Sequence, residues 1–168
     1  MPDDPAELRI RRATPADAET LFGFVSQLAR YEKLAHEVVG SAGEMREQLA
    51  SDRPPFEALL AELDTGPLGF ALYFETYSTF HTARCLHLED LFVTPEARGR
   101  GVGRALLAAV ARAARDRECP RLQWNVLDWN APAIGFYERV GAEVLADWRT
   151  CRVAGDVIAK LANDSSSG

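Results

Sequence analysis

Three glycines at alternate positions, Gly99, Gly101 and Gly103, break the chain where an apolar run over residues 88–93 gives way to a helical pattern over residues 104–115. A helix that opens on bare backbone leaves its first amides unpaired and aligned with the positive end of the helix dipole. Such a start is a site for an anion, most often a phosphate. A dinucleotide loop needs its third glycine at a spacing that falls here on Arg104 or Leu106, and a mononucleotide loop needs Gly-Lys-Ser/Thr where this chain has Gly103-Arg104-Ala105. What remains is Arg98-Gly99-Arg100-Gly101-Val102-Gly103, a loop able to wrap a diphosphate with guanidiniums as charge partners. A plain turn needs one glycine, not three.

The 168 residues fit one domain, set at residues 6–162 with a polar tail over 163–168, and 47% apolar with 26% charged residues suits a soluble globular chain. A net charge of −6 argues against a nucleic-acid partner and suits a cationic substrate. No apolar stretch approaches the length of a membrane span, and Met1-Pro2-Asp3-Asp4 lacks the basic start of a secretory signal. Cys85, Cys119 and Cys151 are odd in number and lack metal-ligand spacing, so reduced thiols in a cytoplasm and no bound metal are expected. His36, His81 and His87 are scattered and read as surface or packing residues.

Alternation predicts a strand at 8–12. Thr14 and Pro15 then open a helix whose apolar face carries Leu21, Phe22, Val25 and Leu28. A short helix is expected at 42–51 and a hairpin at 56–63 and 68–77 around Asp64-Thr65-Gly66-Pro67. A strand at 83–93 and a helix at 102–115 follow, then a strand at 121–127, a helix at 131–139 and one or two strands at 143–153. The order indicates an α/β (α+β) chain with a central mixed sheet flanked by helices.

Three pieces in order resemble the GNAT superfamily of acyl-CoA-dependent N-acyltransferases: Leu88-Glu89-Asp90-Leu91-Phe92-Val93, the glycine loop, and Asn130-Ala131-Pro132-Ala133-Ile134-Gly135-Phe136-Tyr137-Glu138-Arg139-Val140-Gly141-Ala142. Further likeness to its spermidine/spermine acetyltransferase-like branch lies in Ala29-Arg30-Tyr31-Glu32, Gly69-Phe70-Ala71-Leu72-Tyr73-Phe74 and Asp147-Trp148-Arg149. Lys33-Leu34-Ala35-His36 departs from the acidic stretch of polyamine enzymes and is closer to the branch associated with thialysine and small primary amines. Lys33 beside Glu32 lowers the negative potential that a polycation needs, so a short mono- or diamine is favoured.

The resemblance implies a single GNAT-like domain, with a mostly antiparallel sheet, that transfers acetyl from acetyl-CoA to a primary amine of a diamine, polyamine or thialysine-like amino acid. It places the coenzyme on Leu91, Phe92, Val93, Arg98, Gly99, Arg100, Gly101, Val102, Gly103, Asn130 and Ala133, with one strand amide facing the thioester oxygen. Asn130 is equally suited to capping its helix. An alkylammonium titrates near pH ~10.4, so a carboxylate must strip its proton; Glu89 is that base or a surface ion-pair partner. Tyr137 is either the acid for the departing thiolate or a packed aromatic. Tyr31, Glu32, Glu89, Asp90 and Trp148 are the candidate amine site, and Tyr77 and Trp124 are further candidate walls of its channel. The resemblance also implies a homodimer, carried by apolar strands around residues 148–153. Acetylation of a protein or peptide amine, or a coenzyme-A-binding sensor without catalysis, are the alternatives.

Overall fold

The computed structural model describes residues 7–164. Five strands form one sheet in the spatial order β1 (Arg9–Arg12), β2 (Glu57–Leu63), β3 (Gly66–Ser78), β4 (Ala83–Val93) and β5 (Leu122–Gln123). The first four are antiparallel and β5 lies parallel to β4. The antiparallel pairs need only short turns, such as Asp64-Thr65 between Leu63 and Gly66. The parallel step needs a crossover, which the helix α3 (Val102–Asp116) supplies. The expected mixed, mostly antiparallel sheet flanked by helices is present.

α1 (Ala18–Tyr31) and α2 (Ala42–Ala50) precede the hairpins; α4 (Ala131–Arg139) and α5 (Asp156–Ala162) close the chain. The chain divides into two compact units, Met1–Trp129 and Asn130–Gly168. In the first, helical spacing puts Leu21 and Phe24 on the buried side of α1, and strand alternation puts Leu60, Phe70, Leu72 and Phe92 beneath them. The Phe24 ring lies 5.9 Å from Phe70 and 5.7 Å from Phe92. α3 packs on β3 and β4 and buries Val102, Leu106, Leu107, Val110 and Ala114.

Gly69 lets β3 and β4 meet where β4 ends. A Cβ there would stand 2.3 Å from the Phe92 carbonyl oxygen and 3.0 Å from Val93 Cα, so backbone fills the space of a side chain. Thr94 N–H then donates to Leu68 O at 2.8 Å and ties down the chain leaving β4.

Four expectations are corrected. Thr14 opens a 3-10 turn, Pro15–Asp17, whose Asp17 carboxylate accepts from the Thr14 amide and hydroxyl; the long helix starts only at Ala18. The strand expected at 121–127 contracts to Leu122–Gln123, because pairing with β4 stops at Leu86 and His87. Residues 143–153 form no strand, so the strands on which the expected dimer interface was placed are not there. α5 lies where only the approach to a tail was expected. Residues 1–6 and 165–168, with the expected domain edge at 6 and most of the tail, lie outside the described residues.

Candidate active site

β4 carries two interruptions that turn a structural strand into a site. The first is a bulge: Leu72 pairs with Asp90 and Tyr73 with Leu88, so Glu89 is an extra residue with no partner on β3. A bulge bends its strand and re-aims its side chains. Glu89 is exposed, and its Oε2 lies 3.6 Å from His87 Nε2. The His87 ring in turn rests 5.2 Å from Phe74.

Asp90 is the perturbed group. Burial chiefly, then the charges of Glu89 and Glu32, pushes its carboxyl up to about 7. Glu32 caps the C-terminal end of α1, and burial raises its carboxyl too. Three carboxylates share one field, and Asp90 holds its proton into the neutral range for want of a cation. An alkylammonium is such a cation, and its arrival would return Asp90 to the ionised form.

Beside the carboxylates lies a stack of rings and cations. Tyr31, at the end of α1, is 6.2 Å from Trp129, and Lys33 Nζ stands 5.1 Å from the Trp129 ring. The Arg98 guanidinium covers Tyr31 at 4.9 Å and Phe92 at 5.8 Å. Gln27, Arg30, Tyr31, Phe92, Pro95 and Arg98 line a cleft of about 280 Å³ here. Trp129 went unnoticed in the sequence; its signal was a tryptophan directly ahead of a helix-capping asparagine. Tyr77 is not brought to this place. It pairs with Arg84 at the hairpin turn, the opposite end of β4 from the glycine loop.

The second interruption is at the edge. Since β5 pairs only with Leu86 and His87, β4 has no strand on its side away from β3 from Leu88 to Val93 among the described residues. Phe92 sends its ring into the core and turns its carbonyl towards Gly69 of β3, while Leu91 and Val93 are half-buried. Past the edge, Arg98 Nε donates to Val93 O at 3.0 Å. Gly99, with φ 74°, and Gly101, with φ 82°, take the left-handed conformation that side chains resist. Gly101 precedes α3 with no side chain capping the helix, so the amides of Val102, Gly103 and Arg104 open onto a loop whose Arg100 and Arg104 are exposed. Those residues fit a diphosphate: bare donors, a helix N-terminus and flanking cations.

The remaining candidates belong to the second unit. Asn130 Oδ1 accepts from the Ala133 amide at 3.3 Å, so the capping role is fulfilled and that amide is occupied. Tyr137 is half-buried on α4 with its ring 5.2 Å from Phe136. Trp148 is 78% exposed in a segment without regular structure.

A donor loop for a phosphate-bearing molecule and a carboxylate site short of a cation are what an acyl transfer to an amine requires. The profile of the Acetyltransferase (GNAT) family matches residues 25–142, and the chain belongs to that family. It is an N-acetyltransferase, and acetyl-CoA is the family's acyl donor. A mouse protein, thialysine N-epsilon-acetyltransferase, is 34% identical across 94% of this chain and 98% of its own length. The L-ornithine N5-acetyltransferase of Arabidopsis thaliana is 30% identical across 89% of this chain and 86% of its own. Among solved structures, an integron cassette protein from V. cholerae superposes with a TM-score of 0.77 at 27% identity, covering 94% of this chain and 98% of that one.

Proposed function

We propose that the chain transfers the acetyl group of acetyl-CoA to the primary amine of a small diamine or of an amino acid with a side-chain amine. The observation that carries this reading is the bulge in β4 at Glu89, next to which burial and the charges of Glu89 and Glu32 push the Asp90 carboxyl up to about 7. The names of the mouse and Arabidopsis relatives, thialysine and ornithine acetyltransferases, support it.

The thioester supplies an activated acetyl group. The glycine loop from Arg98 to Gly103 and Val102 at the start of α3 grip the diphosphate, while the arm that bears the thioester lies along Leu91, Phe92 and Val93, where the outward-facing backbone of Leu91 and Val93 holds it and polarises its oxygen. Tyr31, Glu32 and Asp90 seat the ammonium, with Trp148 as a further wall. Glu89, at the exposed bulge, removes the proton as the amine attacks, and Tyr137 protonates the departing thiolate. Transfer from a phenol of reference pKa ~10 to a thiolate whose conjugate acid titrates near ~8.5 is uphill by only about 1.5 units, within reach of a positioned general acid. Asn130 and Ala133 support the coenzyme from the start of α4.

The reading includes a homodimer, supported by Val144, Leu145, Trp148 and Val153 of the second unit, all exposed. It also places the enzyme in a cytoplasm; among the described residues no helix is long and apolar enough to cross a membrane, and all three cysteines are free. Thiol release from acetyl-CoA, measured against a panel of thialysine, ornithine, putrescine, spermidine and short peptides, tests the reading. Turnover of the small amines is expected. Turnover of peptides alone, or coenzyme binding without turnover, would replace it with one of the alternatives. Light scattering on active enzyme tests the dimer.

A further inference from the structure

α1 ends in a particular turn. Leu34 N–H donates to Ala29 O at 2.8 Å and Lys33 N–H to Arg30 O at 3.1 Å, with Lys33 at φ 62°. α4 ends in the same pattern with Gly141 at φ 90° in the equivalent place, and α3 with Glu118 at φ 54°. Glycine suits this position, whereas a residue with a Cβ costs roughly 1 kcal/mol there. The turn holds the Lys33 backbone in one conformation directly after Glu32, and so directs its side chain.

That side chain ends on an aromatic face. Lys33 Nζ lies 5.1 Å from the Trp129 ring and, among the described residues, has no carboxylate within ion-pair distance, although Glu32 is its neighbour. A ring satisfies an ammonium only in part, so its capacity for charged hydrogen bonds is unspent. Trp129 in turn lies 6.2 Å from Tyr31, so the ammonium is held on the aromatic side of the candidate amine site as a second, oppositely charged recognition point. An acceptor made only of ammonium groups meets repulsion there. An acceptor with a carboxylate at one end and a primary amine at the other satisfies both signs.

We propose that Lys33 binds the α-carboxylate of the acceptor and so selects basic amino acids over the diamines that differ from them only by loss of that carboxylate. This rests on the reading that Glu32, Glu89 and Asp90 form the amine site. Thialysine and ornithine, the acceptors named for two relatives, are both amino acids of this form.

Matched pairs test it: ornithine against putrescine, and lysine against cadaverine. Within each pair, kcat/KM is compared for the parent, Lys33→Gly and Lys33→Arg. The parent should favour the amino acid at least tenfold. Lys33→Gly should reduce that preference about tenfold, chiefly by raising the amino acid's KM, with the KM for acetyl-CoA unchanged; Lys33→Arg should keep most of it. Glycine relieves the left-handed turn, so the glycine variant should melt no lower than the parent, which separates lost recognition from lost folding. An unchanged preference in Lys33→Gly overturns the role of Lys33 while leaving the small-amine reading intact. A matching rise in the KM for acetyl-CoA would assign Lys33 to the coenzyme instead. If the parent acetylates neither member of either pair, the small-amine reading fails and this inference with it.

Discussion

Asp90→Asn should make the free enzyme more stable and a worse catalyst, and the gain should depend on pH in a defined direction. The native carboxyl titrates near 7, whereas in the unfolded chain it titrates near ~3.9. Between those values the native state holds a proton that the unfolded state has lost, so stability falls as pH rises through the window and levels off above about 7. The interval is about three pH units, and at about 1.36 kcal/mol each the full penalty is roughly 4 kcal/mol. Local relaxation and water entry reduce this, so about 2–4 kcal/mol is expected at pH 8 and little at pH 4, where the native carboxyl is protonated and the unfolded one about half so. For a chain of this size that corresponds to a rise in Tm of about 6–12 °C at pH 8.

Asparagine keeps the shape of the side chain and removes only the ionisable proton. Melting curves of parent and variant from pH 4 to 9, without ligands, should therefore diverge steadily up to about pH 7 and then run parallel. On the same samples the variant should show a raised KM for the amine and an unchanged KM for acetyl-CoA. A gain in Tm equal at pH 4 and pH 8, or no gain at pH 8, would refute the argument that burial and the charges of Glu89 and Glu32 keep Asp90 protonated.

Gly101→Val should weaken acetyl-CoA binding at least tenfold, because φ 82° strains any side chain by roughly 1–2 kcal/mol and the added carbons would crowd the bare amides; calorimetry giving unchanged affinity would dissociate the loop from the coenzyme. Tyr137→Phe should lower kcat by about 10²–10⁴ with little change in coenzyme affinity, and a kcat within about threefold of the parent would remove the tyrosine from proton transfer. Gly69→Ala should cost at least about 2 kcal/mol in denaturant unfolding, since its Cβ would meet backbone 2.3 Å away; a near-neutral effect would mean that β3 and β4 can part at that point without loss.

Periodicity made most of the first unit legible. The 3.6-residue spacing of Leu21, Val25 and Leu28, and the alternation of Leu60, Phe70, Leu72 and Phe92, each point one face inward, and those faces meet in the core; Phe22, expected on the same helix face, is only half-buried, and Phe24 is the ring that enters the core. The same reasoning failed at 121–127 and 143–153 for one cause. Alternation shows that a segment could be a strand, but pairing needs a neighbour, and β4 is paired on that side only at Leu86 and His87. α5 escaped notice because seven residues carry too few apolar positions, Val157, Ile158 and Leu161, to announce a helix. The site was legible as residues and not as geometry. Glu89 and Asp90 could be named from their neighbours in sequence, but the bulge is a property of the register between β3 and β4, which neither strand specifies alone. The aromatic partner of Lys33 lies 96 positions away at Trp129, beyond the reach of any local pattern.

The two interruptions of β4 belong together. A strand paired without a break on both sides would spend every amide on its neighbours and alternate its side chains strictly between faces. By ending its pairing with β5 at His87, β4 keeps edge amides available for an extended ligand; by admitting Glu89 as an extra residue, it sets consecutive carboxylates at one place beside that edge. Both features leave the free protein less stable than it could be: one withholds a strand's hydrogen bonds, and the other buries an acid among like charges. An acyl donor lying along the edge and a cationic acceptor beside Asp90 would each relieve one of these costs. The two ligands would then stabilise the fold through neighbouring stretches of a single strand, whose rigid register brings the thioester and the amine within reach of each other.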